Sequence, residues 1–117
     1  MMRALGLLAA LFATPVLAAG PYDGLYRPDQ PWAEGWDCRS VGSDGGALAI
    51  MDGAFFGVES RCDLTAPVQV RGMNATLYDA VCAGEGETWS YRVMIMTTET
   101  GVVMVRDGFA NPLRRCE

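Results

Sequence analysis

Residues 47–58 read Ala-Leu-Ala-Ile-Met-Asp-Gly-Ala-Phe-Phe-Gly-Val. Two short apolar runs flank Asp52-Gly53, and an Asp-Gly pair favours the two-residue type I′ turn whose twist matches that of a β-hairpin. This turn would place Ile50 directly opposite Phe55. The stretch therefore predicts an antiparallel hairpin, and the rest of the chain can be interpreted outward from it.

Short β-rich runs separated by turn residues continue toward the C-terminus. They cover residues 59–64, 75–82, 88–96 and 102–106. Pro67 should interrupt the first of them, because proline has no amide hydrogen to donate to a ladder. Side chains alternate most regularly in residues 88–96. We predict an all-β chain: a single small antiparallel meander barrel or sandwich of about five to seven strands, stapled by two disulfides.

The last predicted hairpin has two possible registers. Residues 98–101 could form a four-residue type I turn or a three-residue loop with a bulge. The two differ by one residue, so they turn opposite faces of residues 102–106 inward. The first register would place Arg92 opposite Asp107, which is a favourable cross-strand pair. The sequence leaves both registers open.

Residues 19–36 differ from the β domain that we predict over residues 37–117. They contain three prolines, too many for an internal strand, so we predict an extended arm. The candidate partner-binding side chains are its large aromatic residues, Tyr22, Tyr26, Trp32 and Trp36. Such residues are enriched at binding hot spots, but they also pack well against a small core. Both roles are open.

Residues 1–18 have the layout of a secretory signal peptide. Arg3 precedes an apolar run, and small residues precede a predicted cleavage after Ala18, with Ala19 as the second choice. We therefore expect a periplasmic or secreted protein with no membrane span in its mature form. The arginine-only basic residues and the abundant Ala and Gly suggest a bacterial gene.

The four cysteines all lie in the predicted exported part of the chain. An even number of cysteines in a small exported chain indicates disulfides. Cys62 and Cys82 are equidistant from Gly72, in the middle of a predicted turn, so symmetric strand pairing would place them opposite one another. The remaining pair is then Cys38–Cys116. Loop-closure entropy grows with loop length, so we expect loss of this longer bridge to cost more stability.

The charged residues limit the function classes. The chain has no histidine and no lysine, and its net charge is −5. The usual Ser-His-Asp, Cys-His and Ser-Lys mechanisms are therefore excluded, and an acidic surface disfavours nucleic acid as a partner. Paired carboxylates could still perform acid–base chemistry. We interpret the candidates as solvated loop and strand residues: Asp37, Glu59, Asp63, Asp79, Glu85 and Glu87.

The acidic, glycine-containing loops lack the ligand pattern of an EF-hand, so we predict no metal site. We also predict no cofactor and no catalytic residues. The sequence favours an exported, non-enzymatic protein that acts as a binding or inhibitory module. Its partner would be a protein in the cell envelope or outside the cell. The alternative is a structural or accessory component of a cell-envelope assembly.

Overall fold

The computed structural model describes residues 20–117, which form a closed antiparallel barrel of eight strands. The strands are β1 (Gly24–Pro28), β2 (Leu48–Met51), β3 (Ala54–Gly57), β4 (Ser60–Gln69), β5 (Ala75–Gly84), β6 (Glu87–Thr97), β7 (Gly101–Arg106) and β8 (Phe109–Arg115). Each strand pairs with its neighbours in sequence, and β1 also pairs with β8 to close the barrel. The predicted signal peptide and its cleavage site lie outside the described residues.

The all-β meander is confirmed as a barrel, but the predicted count of five to seven strands is too low. The two strands that the sequence does not reveal, β1 and β8, both contain proline, at Pro28 and Pro112. The Pro112 carbonyl accepts from the Asp29 amide, so the Pro112 nitrogen faces the β1 side as well. On that side the β1–β8 ladder has its last aligned pair at Pro28↔Leu113, one residue from Pro112. Both prolines therefore lie where a ladder stops, and neither removes a needed donor.

The predicted Asp52-Gly53 hairpin is confirmed. Asp52 has a φ of 53° and Gly53 a φ of 73°, as a type I′ turn requires. Ile50 lies opposite Phe55. The same pair of positive φ values recurs in the Glu85-Gly86 and Asp107-Gly108 turns.

The β6–β7 hairpin adopts the first of the two predicted registers, with Thr97 opposite Val102. This register turns Val102 into the core. The ladder ends before Arg92 reaches Asp107, so the predicted pair between them does not form. Arg92 instead forms an ion pair with Asp79 on β5, with an N–O distance of 2.9 Å.

Strand β4 passes through a bulge where Pro67 was expected to interrupt it. The register with β5 shifts between Thr65 and Val68, and Ala66 has a φ of 50°. The strand resumes after the bulge and continues to Gln69.

Both disulfides join the predicted partners. Cys62 on β4 lies directly opposite Cys82 on β5, and the two residues are only 3% and 2% exposed. This bridge therefore lies inside the barrel wall. Cys38, in the β1–β2 connection, is bonded to Cys116 after β8. Both ends of the second bridge are partly exposed.

Successive connections of an antiparallel meander alternate between its two ends. We call one end the mouth; it carries residues 29–47, Val58-Glu59, Glu85-Gly86 and Asp107-Gly108. The opposite end is filled by side chains. Tyr26 is fully buried and its hydroxyl donates to the Tyr22 carbonyl, while the Tyr22 hydroxyl shares a 2.8 Å hydrogen bond with Thr76. Among the described residues no helix is long and apolar enough to span a membrane.

Candidate functional site

A cavity of about 450 Å³ opens at the mouth, and we call it the mouth cavity. Its apolar wall consists of Leu48, Phe55, Val93, Met104 and Leu113. Four of these five residues are nearly buried, so the wall is continuous with the core. The volume lies within the range of small-molecule sites, and an eight-stranded barrel is wide enough to hold one small ligand.

Strand alternation explains why these side chains face inward. On β6 the buried Val93 and Ile95 define the inner face, and Tyr91 lies two residues before them on the same face. On β7, Met104 defines the inner face that Arg106 continues at the mouth. Tyr91 and Arg106 both line the cavity.

Arg106 supplies a positive charge to this apolar cavity and is the only charged residue among the described residues that line it. Its guanidinium carbon lies 3.7 Å from the Tyr91 ring centroid and 5.8 Å from that of Phe109. Such stacking holds a guanidinium in place. Its acidic neighbour is Asp107, with an N–O distance of 4.0 Å and a largely exposed carboxylate. Further polar groups at the lining come from Gln30 and Asn111.

The Tyr91 hydroxyl is a neutral group at neutral pH. Burial raises the pKa of Tyr91; the Arg106 charge opposes this shift, and the Asp107 charge adds to it. The hydroxyl oxygen lies 3.6 Å from the Cys62 sulfur. The cavity lining therefore includes a charged side chain and, beside it, a phenol whose hydroxyl reaches toward the buried disulfide.

The β1–β2 connection places Trp32 at the cavity. Trp32 lies in the 3₁₀-helix Pro31–Ala33, is 69% exposed and lines the cavity. It meets Trp36 edge to face, with ring centroids 6.3 Å apart. Ala33 is fully buried between the two tryptophans, and the Cys38–Cys116 bridge follows Trp36, so the connection is anchored within and after its aromatic pair.

Asp37 fixes the turn that contains Cys38, one end of this bridge. Its carboxylate accepts from the backbone amides of Arg39 and Ser40 at 2.7 and 2.9 Å, and from the Ser40 hydroxyl at 2.7 Å. These hydrogen bonds, led by those from Ser40, lower the pKa of Asp37 from 3.8 to about 2. Hydrogen bonds to the charged form explain the direction of the shift.

The four aromatic residues of the predicted arm have different positions. Tyr22 and Tyr26 lie in the core, so their surfaces are used for packing. Trp36 is partly buried against the same core, and Trp32 is mostly exposed beside the cavity. A partner-binding role stays a prediction, and Trp32 has the most surface available for it.

The predicted acidic candidates lie outside the mouth cavity. Asp63 forms an ion pair with Arg61, as Asp79 does with Arg92, each at 2.9 Å and well exposed. The remaining acids near the mouth line a separate shallow depression beside Trp89: Glu59, Glu85 and Glu87. In the described part of the chain no three His, Cys, Asp or Glu residues are grouped as metal ligands would be.

Two of those glutamates interact directly. A hydrogen bond with Glu85, followed by the repulsion of its like charge, raises the pKa of Glu59. The β3–β4 and β5–β6 turns bring these two exposed side chains together, which sequence spacing alone does not predict.

Sequence reasoning missed Arg106, Asn111 and Gln30 as site residues. The alternation of residues 102–106 contains the signal for Arg106, but its face depends on the register that the sequence leaves open. Asn111 lies on β8, a strand that the sequence does not reveal. No protein family, curated protein or solved structure that was compared with this chain matches it.

Proposed function

We propose that this chain is an exported, non-enzymatic binding protein whose site is the mouth cavity, and that its ligand is a small, largely apolar molecule. The observation that carries this proposal is the unfilled, apolar-walled space of about 450 Å³ at one end of a barrel whose other end is packed. Its two disulfides support the exported location, because disulfides persist in oxidising compartments.

Preorganisation also supports binding at this cavity. Its walls are strands of a closed ladder, and the buried Cys62–Cys82 bridge lies in the same barrel wall. A rigid apolar wall binds without the entropic cost of ordering a loop. Each square ångström of ligand and wall surface removed from water contributes about 25 cal/mol.

A fluorescent titration tests the proposal. N-phenyl-1-naphthylamine is neutral and apolar, and its emission rises when it leaves water. The oxidised protein should bind it saturably and at one site. Asn111→Trp should weaken binding strongly, because the new indole would occupy the mouth cavity that Asn111 lines.

The matched control is Ala110→Trp, one residue earlier on β8. Strand alternation directs position 110 to the outer face, so this variant adds the same side chain outside the cavity. It should bind the probe like the unmodified protein. Equal binding by both tryptophan variants, or no saturable binding by the unmodified protein, would show that the cavity is not the site.

A second candidate function is binding of a protein at the mouth, as an inhibitor or as an accessory component of an envelope assembly. The observation that favours it is the exposure of three aromatic side chains at this end: Trp32, Trp89 and Phe109. Large exposed aromatics are typical hot-spot residues. Trp89→Ala distinguishes the two functions, since it should weaken binding of a protein and leave binding of the small probe unchanged.

A further inference from the structure

On the basis of the proposed function, we infer that the ligand is an anionic amphiphile: its headgroup binds the Arg106 guanidinium and its apolar body fills the mouth cavity. Arg106 is the sole charged residue among the described residues that line the cavity, and the wall beyond it is apolar. An amphiphile has the same division between a charged end and an apolar end.

The surroundings of Arg106 leave it available for a headgroup. Tyr91 and Phe109 meet the guanidinium through their rings, and a stacked guanidinium keeps its in-plane N–H donors for hydrogen bonds. The contact with Asp107 is long, at 4.0 Å, and its carboxylate is largely exposed. Exposed pairs of this kind are weak, so a carboxylate ligand in the shape-matched bidentate geometry can replace Asp107.

The same geometry disfavours other ligand classes. A cationic ligand would be repelled by Arg106, and a neutral apolar ligand would leave that charge without a strong partner beside the apolar wall. Glu59, Glu85 and Glu87 do not contact a ligand in the mouth cavity, because they line a different depression. The acid beside Arg106 is Asp107, whose contact the ligand carboxylate replaces. The net negative charge of the chain slows the approach of an anion more than it weakens the contact once formed.

The test is a competition between two ligands that differ in the headgroup. Decanoate and 1-decanol, each below its solubility or micellar limit, displace N-phenyl-1-naphthylamine from the oxidised protein. We expect decanoate to displace the probe at a concentration about tenfold lower, which is the lower end of what a charge-assisted hydrogen bond contributes. High salt should reduce this preference, since the guanidinium is partly exposed.

Three arginine variants locate the effect. Arg106→Gln should remove the preference for decanoate and keep the affinity for decanol, whereas Arg106→Lys should retain part of the preference. Arg92→Gln is the matched control, because it removes the same charge from the outer face, where Arg92 pairs with Asp79. It should leave the preference unchanged. If Arg106→Gln does not fold, the test uses Arg106→Lys, in which the preference for decanoate should be smaller than in the unmodified protein.

The outcomes separate this inference from the proposed function. Equal displacement by decanoate and decanol, or an unchanged preference in Arg106→Gln, overturns the inference while the mouth cavity remains a binding site. If the probe itself fails to bind the unmodified protein, the proposed function fails and the inference fails with it. Loss of the preference in Arg92→Gln would assign the effect to overall charge and would also overturn the inference.

Discussion

Replacing Cys62 and Cys82 together by serine removes the buried bridge and leaves two hydroxyl groups inside the barrel wall. We expect this double change to destabilise the protein more than the corresponding replacement of Cys38 and Cys116. Loop length alone predicts the opposite order, because the second bridge closes the longer loop. Burial reverses the order.

The magnitudes follow from the sequence separations and the exposures. Separations of 20 and 78 residues correspond to about 3.3 and about 4.5 kcal/mol of chain entropy, so loop length favours the longer bridge by about 1.2 kcal/mol. Burying an unpaired hydroxyl costs about 1–3 kcal/mol, and the Cys62 and Cys82 positions are 3% and 2% exposed. The facing serine hydroxyls can share one hydrogen bond, which leaves one buried donor to satisfy. The cost of that donor and the volume lost with the two sulfur atoms together exceed the entropy difference. Cys38 and Cys116 are partly exposed, so serines there remain hydrated.

Urea unfolding of the oxidised double variants measures the order, and alanine versions of both pairs serve as controls. Alanine at positions 62 and 82 should be more stable than serine, because no hydroxyl is buried. At positions 38 and 116 serine and alanine should agree within about 0.5 kcal/mol, as partly exposed sites usually do. A Cys38→Ser, Cys116→Ser protein that is the less stable of the two, with no serine–alanine difference at the buried pair, would refute the reasoning.

Three further predictions concern stability. Asp37→Asn should lower the melting temperature at pH 7. The difference from the unmodified protein should disappear as the pH falls through about 2, because the Asp37 carboxylate stabilises the folded state only while it is ionised. Glu59→Gln should raise the melting temperature at pH 7 and not at acidic pH, because Glu85 raises the pKa of Glu59 and the folded protein therefore disfavours its charged form. Gly101→Ala should destabilise the β7–β8 pair, because a Cβ there would clash with the Leu113 carbonyl oxygen on β8. Gly35→Ala is the control and should have little effect, because no atom lies within 4 Å of a Cβ at that position. Thermal unfolding of both variants measures the difference.

The features that the sequence predicted correctly depend on local geometry. The Asp52-Gly53 turn determines its own register, because two residues with positive φ admit one strand pairing. The pairing of Cys62 with Cys82 followed from symmetry about Gly72, although the bulge at Pro67 made the hairpin irregular. The bulge lies between the cysteines and the turn, and it shifts the register by one residue, from Val68↔Leu77 on the turn side to Thr65↔Asp79 on the cysteine side. This shift brings Cys62 opposite Cys82; without it Cys62 would face Ala83.

The features that the sequence did not predict depend on how distant strands meet. A proline such as Pro112 disfavours a strand only where its nitrogen faces a neighbouring strand that needs a hydrogen-bond donor. Whether Pro112 faces such a neighbour depends on where the β1–β8 ladder ends, which the sequence does not show. The cavity requires the same closure, because its wall combines residues from β2, β3, β6, β7 and β8. Arg106 could be recognised as an inward-facing charge only after the β6–β7 register was known.

The closing seam between β1 and β8 connects the second disulfide to the cavity. This seam has three aligned residue pairs, as do β1–β2 and β2–β3, against ten between β5 and β6, so its backbone pairing is among the least extensive in the barrel. Covalent and side-chain bonds reinforce it: Cys38–Cys116 lies beside it, and Arg114 pairs with Asp29 at 3.3 Å. The β1–β2 connection that carries Trp32 begins at this seam. Oxidation of Cys38 and Cys116 therefore fixes both the closure of the barrel and one side of the mouth cavity, so an oxidising environment helps to determine the shape of the site.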